Sequence, residues 1–153
     1  MNGELKEIVA KAARDPAAYL DLTLLYQRGH DLSGITRFEV KTGSAFSLSA
    51  TNPRRNRSSS FEGELDSAQR TALLAAIDES GLLEVPPSSR NIGDDEQPVL
   101  VELGYDDHRF KLLIWADDAA ADGRFAAFEG MLWKVLEQLS DGVIRRAAAA
   151  STA

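Results

Sequence analysis

Twice along this chain a pair of alternating apolar segments is followed by a helical segment, and that order constrains the fold more than any other feature. Phe38 and Val40 alternate with Arg37, Glu39 and Lys41, and after Thr42-Gly43-Ser44 the alternation resumes at Phe46 and Leu48. Period two sends successive side chains to opposite faces of a strand, so the segment reads as a β-hairpin. Phe61 to Leu65 reads as a third, short strand. Asp66 followed by Gln69 is a capping-box pair, and Leu73, Leu74, Ala76 and Ile77 form the inward stripe of the helix it opens. Gly81 supplies the stop, and Pro86-Pro87 prevents continuation.

The pattern then repeats. Val99, Val101 and Leu103 alternate with polar residues, Tyr105-Asp106-Asp107-His108 turns the chain, and Phe110, Leu112 and Ile114 face inward on the return. From Gly123 to Leu139, Phe125, Phe128, Leu132, Val135, Leu136 and Leu139 share one helical face. Hairpins followed by helices predict an α+β fold. It has two layers, an antiparallel sheet built from two hairpins with helices on one face in the order ββ(β)αββα.

An N-terminal helical arm precedes this unit. Leu5, Ile8, Val9 and Ala12 have helical spacing, and Asp15-Pro16 offers a cap with proline at the first helical position. A second helix is expected from there, carrying Leu20, Leu24 and Leu25 inward and ending near Gly29. The organisation reads as an arm over residues 1–34 packed on the main domain, an α+β domain over 35–142, and a flexible alanine-rich tail over 143–153. Leu113 and Trp115 point away from the inward face of their strand, and the arm is the expected cover for that second face.

At 153 residues, 44% hydrophobic and 27% charged, the chain has the length and composition of one folded domain. It contains no cysteine, which removes disulfides, thiolate nucleophiles and thiolate metal sites and suits a reducing, cytoplasmic setting. No apolar run is long enough to cross a bilayer, and Met1 to Ala10 lacks the pattern of a signal peptide, so a soluble protein is expected. A net charge of −7 opposes nucleic acid and anionic membranes as partners.

The motifs of the common catalytic and nucleotide-binding sites are missing: there is no P-loop, GxGxxG, HExxH or GxSxG. His30 and His108 sit in dissimilar turn-like surroundings. Acidic groups at Asp94-Asp95-Glu96, Asp106-Asp107 and Asp117-Asp118 are of the type a divalent cation takes, without EF-hand spacing, and read first as turn and edge residues. No metal or cofactor is implied. Ser88 to Gln97 reads as a mobile acidic loop. Asn52 to Ser60 reads as a polar loop in which Arg54, Arg55 and Arg57 reverse the local charge, and arginine forks suit carboxylates or phosphates. Trp115 and Trp133 read as core or subunit-contact residues.

The segment FEGELDSAQRTALLAAIDESGLLEVP, then PVLVELGYDDHRFKLLIW, then the last helix give the stretch from Ile35 to Leu139 a pattern that resembles the emfourin family of small protealysin-inhibiting proteins. The resemblance implies a ββαββα unit that acts by binding a protease. The glycine-rich first hairpin of that family is reduced here to Thr42-Gly43-Ser44, and no inhibitory residue is carried over.

The function expected is therefore a non-catalytic protein-binding or regulatory domain, an adaptor or inhibitor. Its contacts would come from a sheet edge, from Gly43 and Ser44, and from Arg54, Arg55 and Arg57. The partner would be another protein, with neither nucleic acid nor membrane involved. Two other classes stay open. One is a structural or assembly subunit, a homo- or hetero-oligomer using Tyr19, Leu22 and Tyr26 of the arm. The other is an enzyme with a carboxylate or metal site drawn from the aspartates at 94, 95, 106, 107, 117 and 118.

Overall fold

In the computed structural model, which describes residues 2–19, 21–30, 34–41 and 44–144, six strands form one antiparallel sheet. Helix α1 (Asn2–Arg14) and a single 3₁₀ turn (Pro16–Tyr19) lead into β1 (Thr23–His30), β2 (Gly34–Val40), β3 (Ala45–Asn52) and β4 (Arg57–Glu64). Helix α2 (Ser67–Ser80) follows. Then come β5 (Pro98–Tyr105), β6 (His108–Trp115), α3 (Ala116–Ala121) and α4 (Gly123–Leu139). The spatial order is β4-β3-β2-β1-β5-β6, so β1 lies at the centre and joins the two hairpin systems. The α+β, two-layer, antiparallel architecture with helices on one face is that expected.

Among the described residues the expected second N-terminal helix is not formed, and Leu20 lies outside them. After Asp15 the helical start runs through one turn only, and residues 23–30 are a central strand paired to β2 and β5. Tyr26 lies opposite Phe38 on one side and Val101 on the other. Gly29 is not a helix stop either. Its φ of +116° and its approach to Gly34 across the β1–β2 pair need a residue without a side chain. Leu22 and Tyr26, expected as assembly contacts of the arm, are core residues, and Tyr19 packs edge-on against Tyr105 at 5.4 Å between ring centroids.

All helices of the described residues pack over one face. That face carries Leu24, Tyr26, Phe38, Val40, Phe46, Leu48, Val99, Val101, Leu103, Phe110, Leu112 and Ile114, all buried against Leu73, Ile77, Phe125, Phe128, Leu132 and Leu136. Each such side chain contributes about 1.5–3 kcal/mol through burial. Helix α1 lays Leu5, Val9 and Ala12 beside α2 and does not cross to the other side. Among the described residues the opposite sheet face is thus left without a helix, and Leu113 is 40% exposed on it. Ile144, inside the expected tail, is buried, and its N–H donates to Ser140 Oγ at 3.0 Å.

Local signals are realised where they were strongest. Asp66 Oδ1 accepts from the Gln69 N–H at 2.7 Å and Gln69 Oε1 accepts from the Asp66 N–H at 3.0 Å, completing the capping box. Asp122 caps α4 by accepting from the N–H groups of Arg124 and Phe125.

Candidate functional site

The two edges of the sheet differ, and the difference locates the candidate binding surface. At the β6 edge the Ser88 N–H donates to Leu113 O at 3.2 Å, and Ser88 Oγ accepts the Trp115 N–H at 2.9 Å. Trp115 Nε1 donates to Arg90 O at 2.8 Å. The chain leaving Pro86-Pro87 therefore occupies half of that edge, and Arg109 and Lys111 place charge on the rest. Charged side chains and covering loops are how natural sheets keep an edge from pairing.

At the β4 edge no such cover is found among the described residues. The Leu65 N–H donates to Ser44 O at 2.9 Å, which continues the β3–β4 register and fixes its phase. In an antiparallel ladder alternate residues bond to the neighbour. Arg57, Ser59, Phe61 and Gly63 therefore bond to β3, while Ser58, Ser60, Glu62 and Glu64 turn their N–H and C=O groups outward. The same alternation puts Phe61 on the helix-covered face opposite Leu48, and Ser58, Ser60, Glu62 and Glu64 on the bare face.

The predicted polar loop over 52–60 is instead a tight turn and half a strand. Pro53–Arg55 form a 3₁₀ turn, Asn56 takes a left-handed conformation at φ +49°, and its N–H donates to Pro53 O at 3.3 Å. Asn tolerates that conformation better than most residues, so the turn closes and pairing resumes at once with Asn52 opposite Arg57. Arg54, Arg55 and Arg57 are exposed there, with no ion-pair partner among the described residues.

Ser44 stands at the other end of β3, about 25 Å away along eight strand residues. It is buried at φ +75°, and its Oγ accepts from Arg70 Nη1 at 3.4 Å. It therefore does not share a surface with the arginines, and Gly43 lies outside the described residues. What the arginines do share is the β4 edge, whose far end carries Glu62, Glu64 and Asp66. The edge is charged positively at one end and negatively at the other.

Ser58 and Ser60 do not stand out as site residues in the sequence because RSSS reads as loop, and Glu62 and Glu64 fall in the expected short strand, which carries no local mark of being an open edge. The available signal was Asn-Pro-Arg-Arg-Asn, a turn-forming run short enough to close a hairpin between Phe46-Ser-Leu-Ser and the strand at Phe61.

The acidic groups do not assemble into a metal site: no cluster of three or more His, Asp or Glu suited to a cation occurs among the described residues. Asp106 and Asp107 stay in the β5–β6 turn, where the Nδ1 of His108 lies 3.3 Å from Glu4 of α1. Glu96 and Asp118 are engaged by Arg90, at 2.6 Å and 3.2 Å. Glu96 also accepts from the N–H groups of Gly93 and Asp117, each at 2.9 Å. The segment expected to be a mobile acidic loop is thus pinned to the start of α3.

A second charged constellation lies in the core. Arg28 Nη1 donates to both oxygens of Glu129, at 2.9 Å and 2.7 Å, and Arg28 Nε donates to Gln97 at 3.2 Å. The Tyr26 hydroxyl donates to Glu129 and accepts from Trp133 Nε1 at 3.2 Å. Burial first, then the Glu129 charge, push the Tyr26 hydroxyl far above its ordinary range. Burial opposes the charge on Arg28, and the charge and hydrogen bonds of Glu129 outweigh it, so that guanidinium is held above its ordinary value. Every partner is fixed by another, which suits a structural clamp between β1 and α4.

No family model and no curated protein matches the chain.

Proposed function

We propose that this chain is a non-catalytic protein-binding domain that takes up an extended segment of a partner along β4, with Arg54, Arg55 and Arg57 selecting acidic groups at one end. The observation that carries the reading is the contrast between the uncovered β4 edge and the occupied β6 edge. Strand addition draws affinity from main-chain hydrogen bonds and selectivity from flanking side chains. The outward N–H and C=O groups of Ser58, Ser60, Glu62 and Glu64 supply the first, and the arginine turn the second. The resemblance to emfourins makes a protease one fitting class of partner.

The test compares wild-type chain, Ser60→Pro, the Arg54, Arg55 and Arg57 triple-alanine variant, and Lys111→Ala on the other edge as baits for partner capture. Proline at 60 removes an outward N–H without touching the ladder to β3. A protein captured in stoichiometric amount by wild type and Lys111→Ala, lost with Ser60→Pro and weakened with the triple variant, is expected. Capture undiminished by Ser60→Pro would overturn the reading.

A further inference from the structure

The β4 edge carries its own complement. We propose that a strand fitting it is β4 of a second copy of this chain, paired antiparallel about a two-fold axis at Phe61, so that two six-stranded sheets become one. The proposal rests on the reading of the β4 edge as the binding surface and names an occupant for it.

Three constraints select this arrangement. The first is phase. Ser58, Ser60, Glu62 and Glu64 point their backbone groups outward, so each must meet an outward-pointing residue of the second strand, and registers that pair an odd with an even position are excluded. The second is charge along the strand. Antiparallel pairing lays the Arg54, Arg55 and Arg57 end of each copy beside the Glu64 and Asp66 end of the other, at both ends of the ribbon; parallel pairing would stack like on like. Opposite charges across a ladder stabilise and like charges destabilise.

The third is side-chain fit in the remaining registers. An axis at Glu62 puts two carboxylates face to face. An axis at Ser60 leaves Phe61 opposite Ser59. With the axis at Phe61, Ser58 faces Glu64 and Ser60 faces Glu62 of the second copy on the bare face, hydroxyl donating to carboxylate. On the helix-covered face the two half-buried Phe61 rings meet in a non-hydrogen-bonded pair, where Cα atoms approach to about 4.5 Å. The pairing is isologous, as two-fold contacts are. One strand edge is smaller than a permanent interface, which makes the dimer reversible.

Sedimentation equilibrium over a wide concentration range tests it. The weight-average mass of the wild type should climb from 16.6 kDa toward twice that value, and Ser60→Pro should stay at the monomer mass. Raising salt from about 0.05 to 0.5 M should weaken the dimer several-fold, because the end-to-end charge pairs are exposed. The chain has no cysteine, so Phe61→Cys gives a single reporter on the axis, and oxidation should link two copies through it. Ser59→Cys, off the axis, should remain unlinked. A wild type that stays monomeric throughout, or a crosslink at position 59 and not at 61, would overturn the proposal. A monomeric wild type would leave partner capture along β4 standing, whereas capture indifferent to Ser60→Pro overturns that reading by itself.

Discussion

The Tyr26 hydroxyl donates to Glu129 at 2.5 Å across 103 positions of sequence, joining the central strand to the last helix inside the core. Glu129 is 1% exposed and also takes both bonds from Arg28 Nη1. Removing the acid leaves a partly buried guanidinium and a buried hydroxyl without their acceptor, so Glu129→Ala should cost about 3–5 kcal/mol. Tyr26→Phe leaves the ion pair intact and orphans only the Trp133 Nε1 donor, so it should cost about 1–3 kcal/mol. Urea unfolding followed by tryptophan fluorescence gives both values; a Tyr26→Phe loss equal to that of Glu129→Ala would show that the ion pair contributes nothing.

The latch at Arg90 makes a pH prediction. The Arg90 guanidinium first, then the Gly93 N–H, hold the Glu96 carboxyl down at about 2, against an ordinary 4.5. A carboxyl depressed on folding adds stability that is complete above its unfolded value and is lost as pH falls through its folded one. The segment 88–97 should therefore stay closed at pH 5 and open between about 4.5 and 2. The Trp115 indole N–H, which donates to Arg90 O, is the reporter in a proton NMR titration. Arg90→Ala should produce the open spectrum at neutral pH; an unchanged Trp115 signal in that variant would refute the latch.

Gly29 predicts a backbone effect. A Cβ built there would sit 2.0 Å from Gly34 O at a φ of +116°, so Gly29→Ala must displace the β1–β2 ladder at the middle of the sheet. A loss above about 2 kcal/mol is expected in thermal or urea unfolding, since both strain and a backbone clash contribute. Gly123→Ala meets nothing within 4 Å at the first residue of α4, where no left-handed backbone is required and alanine is the better helix former. It should be neutral or stabilising, and a reversed order of the two variants would contradict the geometry.

The sequence by itself determined those elements whose cause is local. Helix α2 begins at Asp66 because Asp66 and Gln69 satisfy each other's backbone within four residues, and the β5–β6 hairpin and α4 are written in unbroken apolar periods. The tertiary structure alone decided β1. Its inward positions are Leu24, Tyr26 and Arg28, and an arginine facing inward breaks the alternation that marks a strand; its acceptor is Glu129, which no local pattern connects to it. Asp15-Pro16 and the leucines after it satisfied the rules for starting a helix, and pairing to β2 and β5 prevailed because two flanking strands offer more hydrogen bonds and buried area than an isolated second helix could. The same holds for the candidate surface. The arginines were visible in the sequence, but which edge stays open depends on where Ser88 folds back against Leu113 and Trp115, a contact set by packing between segments 25 residues and more apart.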